Sequence, residues 1–248
     1  LPKEDVYDGY SYSVFHAAAP DRQDHLVVQK LDIFVGTNFL VTHHKEQIKG
    51  IFDTRGAVAK NPGSLLRSSD WLLHGVLNTV IDYCRPSIDG LETRVDLIAE
   101  AVLHAGKGLE DAVDLHRDLI TFREITANQQ TTLERFACDE SSFVSEENRD
   151  YFRDVLDHNR HLHHRAVQGV ERLAWALEAT KAADARRTQS AIRWGVAFVT
   201  AVLLPMLVLS LLSLQVIDLS ERLGPALLGA VAAYVVGVGV IFKQKRWF

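Results

Sequence analysis

The chain has 248 residues, a formal net charge of −5 and 24% charged residues, an acidic balance that argues against nucleic acid as a partner. No Gly-rich phosphate loop, nucleophile elbow or catalytic carboxylate pair with a supporting base is present, so an enzyme is not expected and no cofactor is required. A mean hydropathy near zero conceals a polar N-terminal part and a very apolar end, the pattern of a cytoplasmic domain on a C-terminal membrane anchor. Cys84 and Cys138 lie far apart in helical sequence and read as reduced thiols rather than as a disulfide or a metal pair. The chain opens on Leu1 without an initiator Met, and further residues are expected ahead of it.

In chain order, Tyr10 to Ala18, Leu26 to Phe34 and Asn38 to His43 are rich in β-branched and aromatic residues. Turn signals at Pro20-Asp21 and Gly36-Thr37-Asn38 separate them, so a small antiparallel sheet is expected. A short helix follows from Glu46 to Asp53, then a loop from Arg55 to Ser69. From Asp70 the sequence reads helical. Leu73, Leu77, Val80, Cys84, Ile88, Leu91, Val95, Ile98 and Val102 alternate spacings of three and four, the seam of a long helix that Pro86 should kink rather than end. The breaker His104-Ala105-Gly106-Lys107-Gly108 leads to a second helix, Leu109 to about Phe136, with Leu115, Leu119, Phe122, Ile125 and Leu133 on its apolar side. Together they form an antiparallel helical hairpin. Cys138 to Val144 is a turn, and Ser145 is placed to cap the next helix.

That next helix meets no Pro until Pro205 and reads as a stalk running from Glu146 to Leu214. Its stripe is Phe152, Val155, Leu162, Val170, Leu173 and Leu177, too thin beyond Ala179 to hold a lone helix in water, which implies neighbours. Residues 191–214 and 225–242 have the length and apolarity of transmembrane helices. The short connection 215–224 makes them a hairpin. Arg186, Arg187 and Arg193 before it and Lys243, Lys245 and Arg246 after it place both ends in the cytoplasm by the positive-inside rule, with Trp194 and Trp247 at the interface. The organisation expected is therefore a sheet-containing domain over 1–69, a helical hairpin over 70–144, a stalk over 145–190, membrane helices over 191–214 and 225–242 around an outer loop, and a basic tail over 243–248. The fold class is an α+β membrane protein whose cytoplasmic α/β domain is partial.

LPKEDVYDGY at Leu1 to Tyr10, LDIFVGTNFLVTHH at Leu31 to His44, VIDYCRPSIDGLETRVDLIAEAVL at Val80 to Leu103, YFRDVLDH at Tyr151 to His158 and the FKQKRWF end carry a likeness. Over essentially its whole length the chain resembles the CorA family of divalent-cation transporters. The resemblance implies a multi-pass inner-membrane homopentamer in which the first membrane helix lines a central pore and the second, with Ala226, Ala230, Ala233 and Gly237 on one face, packs outside. It also implies a strand-helix portion ahead of Leu1, and partners that are the chain itself, the lipid bilayer and metal ions. Mg2+ or a transition-metal cation is then the substrate and a regulator.

The resemblance places Ser190, Arg193, Val196, Thr200, Leu204, Leu207 and Leu211 along the pore, the apolar ones forming a constriction that closes by dewetting. At the outer mouth the family carries Gly-Met-Asn, and this chain has Leu214, Gln215 and Val216, with Ser213, Asp218 and Glu221 nearby. Gln215 or Ser213 would stand in for the missing Asn, and Asp218 or Glu221 would concentrate cations. Arg193 either turns outward to lipid phosphate or marks a pore that is not for magnesium. Asp154 matches a family Asp that binds regulatory Mg2+ between subunits, and Asp21 or Asp24 lies near its counterpart. His158, His161, His163 and His164 form a further cluster in which i, i+3 spacing brings His158 to His161 and His161 to His164, imidazoles suited to Zn2+ or Ni2+.

Overall fold

The structure, a computed structural model, describes residues 4–21, 25–105, 108–138 and 141–199, and the single positions 203, 206, 210, 229 and 233. Two compact units result, Leu1–Thr180 and Lys181–Phe248.

In the first unit four strands, β1 (Glu4–Tyr7), β2 (Tyr10–Pro20), β3 (Leu26–Gly36) and β4 (Leu40–His43), form an antiparallel meander in sequence order. The opening stretch is thus itself a strand, which the expected sheet lacked. Tyr7 pairs with Tyr10 across the two-residue turn Asp8-Gly9, where Gly9 takes φ +89, a conformation glycine adopts at no steric cost. Alternation along β2 and β3 sends Ser11, Ser13, Phe15, Ala17, Leu31, Ile33 and Val35 into the core. The opposite face carries Tyr10, Tyr12 and Phe34 in ring contact, with Tyr12 Oη donating to Asp32 at 2.7 Å and Lys30 Nζ at 2.7 Å from the same carboxylate. The third turn lies two residues later than expected: Gly36 N–H donates to the Phe39 carbonyl, so β3 runs to Gly36 and β4 begins only at Leu40.

The first helix, α1 (Lys49–Lys60), lies later than its expected position and occupies much of the expected loop, which also holds the single turn α2 (Pro62–Leu65). Glu46 is held in the preceding turn by Gln29 and by His44 Nδ1 on its carbonyl. Gly50 then lets α1 approach the Val80 backbone, where a Cβ would stand 3.2 Å away. The long seam is divided between α3 (Ser69–Asp82) and α4 (Arg85–Ala105). Pro86 has no N–H for the Asp82 carbonyl, and the chain takes a turn at Tyr83 and Cys84, whose N–H reaches Ile81 instead. The seam nevertheless stays in phase: Leu73, Leu77, Val80, Cys84, Ile88, Leu91, Val95 and Val102 are all buried.

Gly108, at φ +89, precedes α5 (Leu109–Ala137), which returns beside α4 as the hairpin predicts. After a 3-10 turn at Glu146–Asn148 comes α6 (Arg149–Phe198), the 50-residue stalk. Ser145 does not cap it with its side chain; its hydroxyl donates to Asp70 instead, at 2.6 Å. Sheet, hairpin and α6 share one core. Phe136 of α5 stacks on Phe15 of β2 at 6.4 Å and meets Phe152 of α6 edge-on at 5.6 Å. Each such ring contributes about 1.5–3 kcal/mol by burial. Gln129 donates to the His16 carbonyl at 2.7 Å, and Asn159 to the Thr126 carbonyl at 2.8 Å, so polar bonds fix the register that the apolar seam alone leaves loose.

Candidate cation-sensing and conduction residues

Asp154 projects from the second turn of α6, exposed, two residues after buried Phe152. Two imidazoles attend it. His158, one turn on, places Nε2 3.9 Å from Asp154 Oδ1. His74 of α3 is half-buried among Trp71, Tyr151 and Phe152, with ring centroids 5.4, 5.6 and 5.9 Å away. Burial holds the His74 pKa below its ordinary value, and the Asp154 carboxylate works against that fall. This is an acidic point on the stalk in front of an aromatic wall, open to solvent. His74 is the neighbour of Asp154 that sequence reasoning missed; it lies 80 positions away, and only the packing of α3 on α6 reveals it.

Asp21 sits elsewhere, in the β2–β3 turn. Its Oδ1 accepts from the His25 N–H at 2.9 Å, and its own N–H donates to the His25 carbonyl. Asp24 lies outside the described residues. The histidine cluster separates by face. His163 turns inward to Thr126 Oγ1 at 3.1 Å and the Arg123 carbonyl at 3.2 Å, sealing α6 onto α5. His161 and His164 stay exposed, His164 touching Gln168 at 3.1 Å. Among the described residues no three His, Cys, Asp or Glu side chains converge on one point.

Of the pore positions, Ser190, Arg193 and Val196 fall within α6, and the side chains of Arg193 and Val196 are exposed. Thr200, Leu204, Leu207, Leu211, Leu214, Gln215, Val216, Asp218 and Glu221 lie outside the described residues. Among the described residues no helix is long and apolar enough to cross a membrane; most of 199–242 is not described. The second unit still shows its chemistry: Ile192, Trp194, Val196, Val199, Leu203 and Met206 are each more than half exposed.

Ion pairs add to the shared core in tying the stalk to the hairpin. Arg165 of α6 grips Glu92 of α4 through both oxygens, at 3.1 and 2.6 Å, and reaches Asp89 at 2.6 Å. Arg172 reaches Asp96 at 3.4 Å and Arg160 reaches Glu134 of α5 at 2.8 Å.

A sheet packed on a helical hairpin, with a charged stalk that turns apolar at its far end, is an arrangement that known proteins share. The family model described as CorA-like Mg2+ transporter protein matches residues 1–244. The chain belongs to this family. A protein of Bacillus subtilis (strain 168), YfjQ, whose name assigns it to metal-ion transport, is 25% identical over 254 residues, spanning all of this chain and 78% of that protein. The complete structure of the CorA magnesium transporter from Methanocaldococcus jannaschii superposes with a TM-score of 0.80 at 17% identity, covering 100% of this chain and 80% of that one. The full-length CmaX protein gives 0.75 at 16% identity, over 99% of this chain and 77% of that one. The ZntB cytoplasmic domain from Vibrio parahaemolyticus RIMD 2210633 gives 0.62 at 14%, over 75% of this chain and 74% of that one. At such identities these structures establish the CorA fold: an α/β domain carried on a long helix.

Proposed function

We propose that the chain is one subunit of a self-assembled transporter that lets divalent cations, Mg2+ or a transition metal, pass down their gradient through the inner membrane. The observation that carries this is the end of α6, with the described positions just beyond it, where Ile192, Trp194, Val196, Val199, Leu203 and Met206 are exposed in the single chain. A helix so dressed is stable only when lipid or sister helices cover it. Five copies around an axis would give each first membrane helix a pore side and a lipid side, with both chain ends in the cytoplasm. The Arg165 clip makes stalk and hairpin move together, so tilting of one subunit's domain reaches the pore. Mg2+ held at Asp154 between subunits, with Asp21 or Asp24 assisting, would favour the closed arrangement; a hydrated ion needs few carboxylates.

The absent Gly-Met-Asn favours a second reading. Leu214 and Val216 offer no side-chain oxygen to a hydrated ion, which suits a poorly selective channel or a non-conducting membrane assembly on the same scaffold. Flux into proteoliposomes decides between them, with Mg2+, Co2+, Ni2+, Zn2+ and K+ compared. Divalent uptake above empty vesicles is the expected result. Equal K+ and Mg2+ currents select the unselective channel, and no flux for any ion selects the non-conducting assembly.

A further inference from the structure

Where the last turns of α5 meet the first turns of α6, a surface cavity of about 510 Å³ opens, lined by Thr131, Glu134, Arg135, Cys138, Arg153 and Arg160. Three arginines from two helices line it, with one carboxylate in its wall and Asp150 and Asp157 beside it. That carboxylate is already engaged: Gln130 donates to Glu134 at 2.9 Å and Arg160 at 2.8 Å, and these two bonds hold its pKa below the usual carboxylate range in spite of its partial burial. Arg160 also reaches Asp157 at 3.3 Å, and Arg153 pairs with Asp150 one turn back. The Arg153–Asp150 pair is exposed, with side chains 61% and 81% accessible, and such i, i+3 pairs in water contribute little. A phosphate group offers those forks bidentate, doubly charged acceptors, a stronger partner than a solvated Asp. The C-terminal end of α5 brings some partial negative charge, but the Glu134 carbonyl is occupied by the Cys138 N–H at 2.9 Å.

We propose that this cavity binds a small phosphate-bearing anion, of the class of pyrophosphate or a nucleotide polyphosphate, gripped by Arg135, Arg153 and Arg160. The site sits at the junction of hairpin and stalk, so its occupant would stiffen α5 against α6 where Arg160 and Glu134 already join them.

Cys138 supplies the test, because it is exposed on the cavity wall while Cys84 is buried, its thiol pushed up to about 11 by burial despite the Ala18 N–H on its sulfur. N-ethylmaleimide should therefore label the full-length assembled protein at Cys138 and spare Cys84. Sodium pyrophosphate, added without divalent cations, is expected to slow that labelling several-fold at millimolar concentration, while sodium chloride of equal ionic strength leaves it unchanged. Arg153→Gln and Arg135→Gln should each abolish the protection, and Arg153→Lys should weaken it. A silent Cys84 certifies the fold of every variant scored. Equal slowing by chloride, no slowing by pyrophosphate, or undiminished protection in both Gln variants would overturn the site. None of these outcomes depends on ion flux, so they leave the transport reading separately testable.

Discussion

Asp70 Oδ2 accepts the Ser145 backbone N–H at 2.9 Å and the Ser145 hydroxyl at 2.6 Å, so the first turn of α3 holds the start of the stalk. Asn148 Nδ2 adds a third bond to the same oxygen at 3.0 Å, and the Trp71 N–H and the Ser68 hydroxyl satisfy Oδ1. Asp70 is 4% exposed. Burial would raise its pKa, but the bonds from Ser145, Ser68 and Asn148 outweigh it and hold the carboxyl far below the usual range. Asp70→Asn keeps the shape and loses the charge, and should cost about 2–3 kcal/mol at neutral pH. The sign follows from a depressed folded-state pKa. The stabilisation is complete above the unfolded value of about 3.9 and drains away as pH falls through and beyond it. Thermal melts of the full chain should therefore show a constant gap between wild type and Asp70→Asn down to about pH 5, narrowing at about pH 3 and still narrowing below it. A gap that stays constant would mean that folding leaves the Asp70 pKa at its unfolded value.

This junction also shows what sequence pattern carries and what it does not. The seam from Leu73 to Val102 was legible because its period is local, and every position falls in or against the core. The helix-starting role given to Ser145 was local reasoning too, and it failed because Asp70, 75 positions away, captures the hydroxyl. The pattern crosses Pro86 unbroken and so predicts a kink; the lost N–H ends α3 all the same, with the phase preserved. The strand at Glu4–Tyr7 had a signal, Asp8-Gly9 set between Tyr7 and Tyr10, that marks a two-residue hairpin. His74 beside Asp154 had none, for tertiary packing alone brings α3 there. The family likeness was legible in stretches such as YFRDVLDH, where residue identity reaches further than periodicity does.

The Arg165 clip should prove stronger than its neighbour. Arg165 is 19% and Glu92 26% accessible, whereas Arg172 and Asp96 are 50% and 69%. Glu92 first, and Asp89 behind it, outweigh burial and push the Arg165 pKa above its already high value. A raised cation keeps its stabilisation at every pH below its unfolded pKa, so alkaline titration in the working range leaves the clip intact. Arg165→Lys gives up the fork geometry and should cost about 1 kcal/mol, and Arg172→Gln less than about 0.5 kcal/mol. Denaturant midpoints with a double-mutant cycle on Arg165 and Glu92 measure it, and a coupling indistinguishable from zero would show that packing, not charge, joins stalk to hairpin.

Two helical glycines should answer oppositely to the same change. A Cβ at Gly169 would stand 2.9 Å from Leu119 Cδ2, inside the α5–α6 contact, while one at Gly90 meets nothing within 4 Å. Gly90→Ala should stabilise by about 0.5–1 kcal/mol through chain entropy. Gly169→Ala should return less, since Leu119 must yield, and Gly169→Leu should destabilise by about 1–3 kcal/mol. If Gly169→Leu melted like wild type, α6 would not pack on α5 as closely as the 2.9 Å approach to Leu119 requires.

His74 can report what binds Asp154. Burial lowers its pKa and the Asp154 carboxylate pushes back, so any loss of that negative charge must let the pKa fall further. Asp154→Asn should therefore lower the His74 pKa, followed by NMR of the histidine-labelled full chain, with His74→Gln assigning the resonance. Mg2+ seated at Asp154 neutralises the same charge and should lower the wild-type His74 pKa in the same direction. In Asp154→Asn, added Mg2+ should then do nothing further. A magnesium effect that survives in the variant would place the ion elsewhere, and an imidazole indifferent to both changes would remove Asp154 from the sensing role.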